Sequence, residues 1–198
     1  MEMDRWRNKV AVITGAGSGM GAACAIEFIK AGIIVIGIGR RVGRIEYVKN
    51  SMPPDLIKNF HPVKCDVIVE KEVVDTFKWI VDTFGGVDVL VNCAGIYKEG
   101  TLVDKYNTES YKNCLYICLM GAMFATREAY ASMKARNAPG HIFYITSSLV
   151  KETGYIPYWE QADINIMGAN VHGLRAMVET YRQEFREHKA QVKTTVNY

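Results

Sequence analysis

An α/β fold is predicted, with a doubly wound parallel sheet covered by helices on both faces. Two observations carry it. Short apolar runs alternate along the chain with longer segments whose apolar residues recur at helical spacing. The short runs are apolar throughout rather than alternating with polar residues, so both their faces are buried, as in parallel strands crossed over by helices. A third observation sets the scale. The chain has 198 residues, 49% hydrophobic and 23% charged, with mean hydropathy −0.02, the profile of one globular domain around a single core.

Residues 9–14, Lys-Val-Ala-Val-Ile-Thr, form the first expected strand, because the run is β-branched and apolar. Residues 20–31 carry apolar side chains at helical spacing and stop at Gly32, a helix terminator. Residues 33–38 are a second β-rich run, and 62–65 a short third, with Pro53-Pro54 marking a loop between them. Residues 70–84 read as an amphipathic helix ended by Gly85-Gly86, and 87–91 as the fourth strand. A long helix is expected over 110–135, then a fifth strand over 141–146, introduced by Pro139-Gly140. Residues 164–188 make another long helix and 192–196 the sixth strand. No repeat, low-complexity tract or linker interrupts this order, so residues 1–198 are expected to form one domain.

Composition excludes several functions. Lys+Arg is 24 against Asp+Glu 21, a net charge of +3, too little for an electrostatic nucleic-acid binder. No run approaches the ~20 apolar residues of a membrane span. The amino terminus, Met-Glu-Met-Asp-Arg-Trp-Arg, has no apolar run before Val10, so no secretory signal is expected. The five cysteines, an odd number at irregular spacings, argue against a disulfide framework and for a cytoplasmic location. Cys114 and Cys118 could share a helix face, but two thiols without a nearby His make a poor zinc site. They are expected to be small buried hydrophobes, and no metal is expected.

The first strand runs directly into Thr14-Gly15-Ala16-Gly17-Ser18-Gly19-Met20-Gly21 and then a helix. Glycines here let the backbone turn sharply and approach a pyrophosphate, while the helix amino terminus offers free N–H groups and a positive dipole. A glycine-rich turn can also simply join strand to helix. The position at the first strand–helix junction of an alternating pattern is the context that favours nucleotide binding.

Four motifs, each at a strand end and in the same order, resemble the short-chain dehydrogenase/reductase family. They are the glycine turn over Thr14 to Gly21, Cys65-Asp66-Val67, Asn92-Cys93-Ala94-Gly95, and Ile145-Thr146-Ser147-Ser148. The sequence is similar to the farnesol-dehydrogenase-like branch through Met3-Asp4-Arg5-Trp6, Gly39-Arg40-Arg41 and the helical stretch from Val178 to Glu184. The resemblance implies a Rossmann-type fold. It assigns a dinucleotide to Gly15, Ser18, Gly19, Met20 and Gly21 in the turn, to Asp66 and Val67 at the adenine, and to Asn92, Ala94 and Gly95.

The second strand ends in Gly39-Arg40-Arg41, without the acidic residue that takes the ribose hydroxyls in NAD binders. A guanidinium fork suits a 2′-phosphate, so NADP is the expected cofactor, held by Arg40 and Arg41. Two solvated arginines opening a helix are the alternative.

The family's chemistry uses a tyrosine as acid/base, a lysine four residues later, a serine and an asparagine. Residues four apart share a helix face, so the lysine can act on both the phenol and the nicotinamide ribose. Ser148 stands at the serine position. The resemblance places Met167 at the tyrosine, Val171 at the lysine and Cys118 at the asparagine. Met has no ionisable proton and Val no charge. The Tyr130–Lys134 pair has the spacing but lies 12 residues past Cys118 on the same expected helix, about 18 Å away. Tyr155 and Tyr158 lack a lysine four residues on, His172 is expected to face elsewhere, and Arg175 is read as a surface arginine.

Family members continue after the sixth strand with a Pro-Gly turn, a substrate-covering segment and a last strand; this sequence ends at Asn197-Tyr198, so the domain is expected to be incomplete at its carboxyl end relative to the family. The function expected by resemblance is oxidoreduction of small alcohols or carbonyls with NADP(H), catalytically impaired. The alternative is a non-catalytic dinucleotide-binding protein or dimerising scaffold, a homo-oligomer paired through the two long helices.

Overall fold

The computed structural model describes residues 4–98, 100–147 and 166–197. Strand β1, Val10–Thr14, is buried at every position and pairs in parallel on both sides, with β2 (Ile34–Gly39) and β4 (Val89–Asn92). In that register Val12 stands opposite both Ile36 and Leu90. Strands β3 (Phe60–Lys64), β5 (Gly140–Ile145) and β6 (Val192–Asn197) complete one parallel sheet in the order β3-β2-β1-β4-β5-β6. The winding direction reverses between β1 and β4. In such sheets the crevice beyond the carboxyl ends of these two strands is where ligands bind.

Alternate residues of each strand enter different halves of the core. Ala11, Ile13, Val35, Val89 and Val91 pack with Ala25 and Ile29 of α1 (Gly19–Lys30) and Ile45 of α2 (Val42–Asn50). Val12, Ile36, Leu90, Ile142 and Tyr144 pack on the opposite face with α4 (Glu70–Phe84), α6 (Gly121–Ala135) and α7 (Met167–Glu187).

Several details differ from the sequence reading, the helix α2 among them. β3 starts at Phe60, whose ring fills the space beside Gly37 of β2; a Cβ on Gly37 would lie 2.7 Å from it. β3 is an edge strand, which is why it tolerates Pro62. The Pro53-Pro54 loop carries a short helix, α3 (Pro54–Ile57), with proline at its first position. The long segment expected over 110–135 is two helices, α5 (Thr108–Leu115) and α6, joined by a π-helical turn over Tyr116–Met120 that contains Cys118. β4 begins at Val89; before it the Val87 N–H donates to Ser132 Oγ (3.0 Å), while Asp88 bonds through its backbone to Val10 and His141 and through its carboxylate to the Val10 N–H (2.9 Å) and Arg136 Nη1 (3.0 Å). Among the described residues no helix is long and apolar enough to cross a membrane.

Candidate functional site

The turn after β1 is built by three glycines with different duties. Gly15 has φ +72°, and a Cβ there would lie 3.0 Å from the Ala94 Cα. Gly21 lets the first turn of α1 sit on that bend; a Cβ on it would lie 2.4 Å from the Gly15 carbonyl oxygen. Gly19 has φ +52° and nothing within 4 Å of where its Cβ would be. Packing thus demands glycine at 15 and 21, whereas at 19 the space is open towards whatever approaches the backbone. Ser18 precedes α1 without capping it through its side chain, so the first N–H groups of the helix stay available at the mouth of the cleft. The α1 first turn carries no acidic residue to compete for an anion.

Thr14 ties the two strand ends together. Its hydroxyl oxygen accepts from the Cys93 N–H (3.0 Å) and the Ala94 N–H (2.9 Å), holding Ala94 and Gly95 against the glycine turn. The result is a cleft of about 210 Å³ at the reversal of the sheet. Gly15, Ser18 and Met20 line one side, Ala94 and Gly95 the other. Arg40 and Arg41, exposed at the end of β2, close one end, joined by Arg44 of α2, which the sequence reading did not single out. Its signal was weak: an arginine three residues into an unpredicted helix. Asp66 and Val67 line the same cleft. Asp66 is oriented by its own loop, its Oδ1 accepting from the Ile68 N–H (3.3 Å) while its N–H donates to Glu72 (2.8 Å).

A second cleft, about 230 Å³, shares Met20, Cys93, Ala94, Gly95 and Ile96 with the first, so the two form one groove. Here the structure brings together Cys118, Met167, Val171 and Asn92, which the sequence scatters over 80 residues. Thr146 and Asn170 join them, and neither was singled out. Asn170 did leave a trace: it is the polar member of a stripe at helical spacing, Met167, Asn170, Val171, Leu174. Ser148, Tyr155 and Tyr158 lie outside the described residues. Tyr130 is elsewhere; its hydroxyl meets His188 Nδ1 at 2.8 Å and its ring stacks on Phe185. Arg175 is exposed, and neither it nor His172 lines the groove.

The chemistry available in the second cleft is neutral. Among the described residues no Asp, Glu, His, Lys or Arg lines it. Burial raises the Cys118 thiol above its ordinary value, and burial, then the neighbouring Cys24, push Cys93 up to about 11. Both thiols therefore hold their protons at neutral pH and cannot act as bases. Behind the cleft Asn92 Nδ2 donates to Thr126 Oγ1 (3.1 Å), which pairs with the Tyr144 hydroxyl (2.9 Å). That phenol is fully buried, and burial pushes its pKa up, so it too stays neutral. Among the described residues no three His, Cys, Asp or Glu side chains are grouped to hold a metal ion.

The groove fits a dinucleotide on three counts: an open backbone cradle at Gly19, arginines at one end, and buried polar atoms of Asn92, Thr146 and Asn170 without partners at the other. Comparison with known proteins agrees with this geometry. The family described as short chain dehydrogenase matches residues 9–197. Farnesol dehydrogenase of Aedes aegypti is 41% identical over 193 residues, covering 98% of this chain and 77% of that protein. A short-chain dehydrogenase/reductase from Burkholderia phymatum, solved in complex with NAD, superposes with TM-score 0.84 at 23% identity, covering 96% of this chain. The closed form of serine dehydrogenase, complexed with NADP+, superposes with TM-score 0.80 at 25% identity, covering 94% of this chain and 70% of that one. The chain spans 65% of the Burkholderia structure, just under two thirds of its length.

Proposed function

This chain belongs to the short-chain dehydrogenase family, and from that premise we propose that it binds NADP(H) along the groove but has lost most of the family's capacity for hydride transfer. The observation that carries the proposal is the second cleft, where Met167, Val171 and Cys118 converge beside the glycine turn. These are the positions at which the family places its acid/base tyrosine, its lysine and its asparagine. When bound, the nicotinamide would supply the hydride acceptor or donor. The chain's own part is to hold it. The α1 N–H groups and Gly19 would take the pyrophosphate, Arg40 and Arg41 with Arg44 the 2′-phosphate, Asp66 and Val67 the adenine, and Asn92, Ala94 and Gly95 the middle of the dinucleotide. Any substrate would be an alcohol or the corresponding carbonyl, the class that the name of the Aedes relative suggests. The direct test is incubation with NADPH and a panel of aldehydes and ketones while cofactor oxidation is followed; turnover at ordinary enzyme rates would overturn the impairment.

A second reading, a dimerising scaffold, draws on the outer face of α6 and α7. Met123, Phe124, Tyr130, Tyr181 and Phe185 form an aromatic groove of about 230 Å³ there, with Tyr181 stacked on Phe185. Sedimentation of the purified chain decides whether that face pairs two copies.

Cofactor choice rests on the arginines. NADPH is expected to bind more tightly than NADH. Arg40→Ala with Arg41→Ala should remove that preference, weakening NADPH by a few kcal/mol at most, since a charge-assisted hydrogen bond contributes ~1.5–3 kcal/mol. Calorimetric titration with both cofactors checks this, and equal affinities in the unaltered chain would sink it. The cradle is tested by Gly19→Ala. The new Cβ has room, so the fold should survive at a cost of about 1–2 kcal/mol for a left-handed alanine. NADPH binding should nonetheless be lost, because the methyl group occupies the approach to the backbone. A β-branched residue such as valine is a poorer probe, because the positive φ strains it further.

A further inference from the structure

Asn170 is 2% exposed, and neither its Oδ1 nor its Nδ2 has a hydrogen-bond partner. Its backbone is satisfied, the N–H donating to the Ile166 carbonyl at 2.9 Å as α7 begins. The deficit is therefore confined to a side chain that lines the second cleft. Buried carboxamides are normally paired, and an orphaned one lowers stability. An aliphatic residue would have continued the stripe of Met167, Val171 and Leu174 without that cost. Two further buried atoms without partners belong to the same lining, Asn92 Oδ1 and Thr146 Oγ1. A mostly apolar cleft with a few convergent, unpaired polar atoms is the form of a small-molecule site.

We infer that Asn170 is a ligand-binding residue, and that its side chain takes a neutral carboxamide in the second cleft. A carboxamide places a donor beside an acceptor, and a second carboxamide is a neutral group that satisfies both at once. Anionic groups are disfavoured, because no cationic side chain among the described residues lines this cleft to offset their desolvation. The cleft is continuous with the groove assigned above to the rest of a dinucleotide. The inference rests on that reading for the carboxamide within reach, the amide of the nicotinamide ring; a separate small amide would use the same chemistry.

The test compares NADP+ with 2′-phospho-ADP-ribose, which lacks the nicotinamide, by calorimetry on the full chain and on Asn170→Leu. The unaltered chain should bind NADP+ about tenfold more tightly or better, the effect of two neutral hydrogen bonds. Asn170→Leu should bind both ligands alike, with 2′-phospho-ADP-ribose unaffected, and should melt no lower than the unaltered chain when ligand-free. Asn170→Ala serves if the leucine variant does not fold. A preference for NADP+ that survives in the variant overturns the inference and leaves the dinucleotide reading intact. So does equal binding of the two ligands by the unaltered chain. If neither nucleotide binds, the dinucleotide reading falls, and nicotinamide alone, followed by ligand-observed NMR, decides: Asn170-dependent binding upholds the inference and its absence overturns it.

Discussion

Met167→Tyr with Val171→Lys, together with Cys118→Asn, is expected to raise NADPH-dependent carbonyl reduction by about 10²–10⁴-fold, the usual contribution of general acid–base catalysis. A phenol one helical turn from an ammonium exchanges its proton near neutral pH because the positive charge favours the phenolate. Met167 and Val171 stand one turn apart on α7 and both line the second cleft, with Cys118 beside them on the π-helical turn. New side chains would therefore project into the groove. Among the described residues that line the cleft, burial holds the two thiols protonated, no side chain is charged, and the one phenol is Tyr97. The rate of the unaltered chain is the decisive measurement. Turnover at ~1–10³ s⁻¹, typical of enzymes, would mean that other residues carry the proton. NADPH titration of the triple variant serves as its control, since gain of rate without loss of binding separates chemistry from positioning.

Asp88→Ala is expected to cost about 3 kcal/mol of stability, the lower end for breaking a buried ion pair, because Arg136 retains some access to water. Asp88 has its side chain 7% exposed and makes two bonds, accepting from the Val10 N–H (2.9 Å) and Arg136 Nη1 (3.0 Å). Arg136 also donates to the Val87 carbonyl, so one carboxylate fastens β1, the approach to β4 and the end of α6. Removing it orphans a buried backbone N–H and leaves the half-buried guanidinium only its carbonyl partners at Val87 and Ser132. For a chain of this size the melting temperature should fall by roughly 6–12 °C. Asp88→Asn keeps an acceptor for Val10 and should lose less. Because this cluster lies at the opposite ends of β1 and β4 from the groove, NADPH affinity of the folded variant should not change. A melting temperature within about 2 °C of the unaltered chain would show that the pair is dispensable.

The parallel order of strands and helices, the glycine turn and the arginines after β2 were legible in the sequence because their causes are local. Burial on both faces writes an unbroken apolar run, helix periodicity repeats within one turn, and a sharp backbone bend needs glycine where it occurs. The family resemblance added the positions of Met167, Val171 and Cys118. Tertiary structure alone decided which of these residues meet, and which others join them. Arg44 lines the first cleft only because α2 forms and packs against β2. The break in the long helix at Tyr116–Met120 leaves no local mark, since the segment remains compatible with an unbroken α-helix. Asp88 reads as a lone acidic residue within the expected strand 87–91 until the closed sheet sets it against Val10, 78 residues away. Asn170 was readable as a polar residue in an apolar stripe, yet only the packing of α7 against the strand ends shows that both its amide atoms are left without a partner. Periodicity records which face of an element is buried; which atoms end up facing each other depends on contacts between distant segments, and those arise only when the sheet and its helices close.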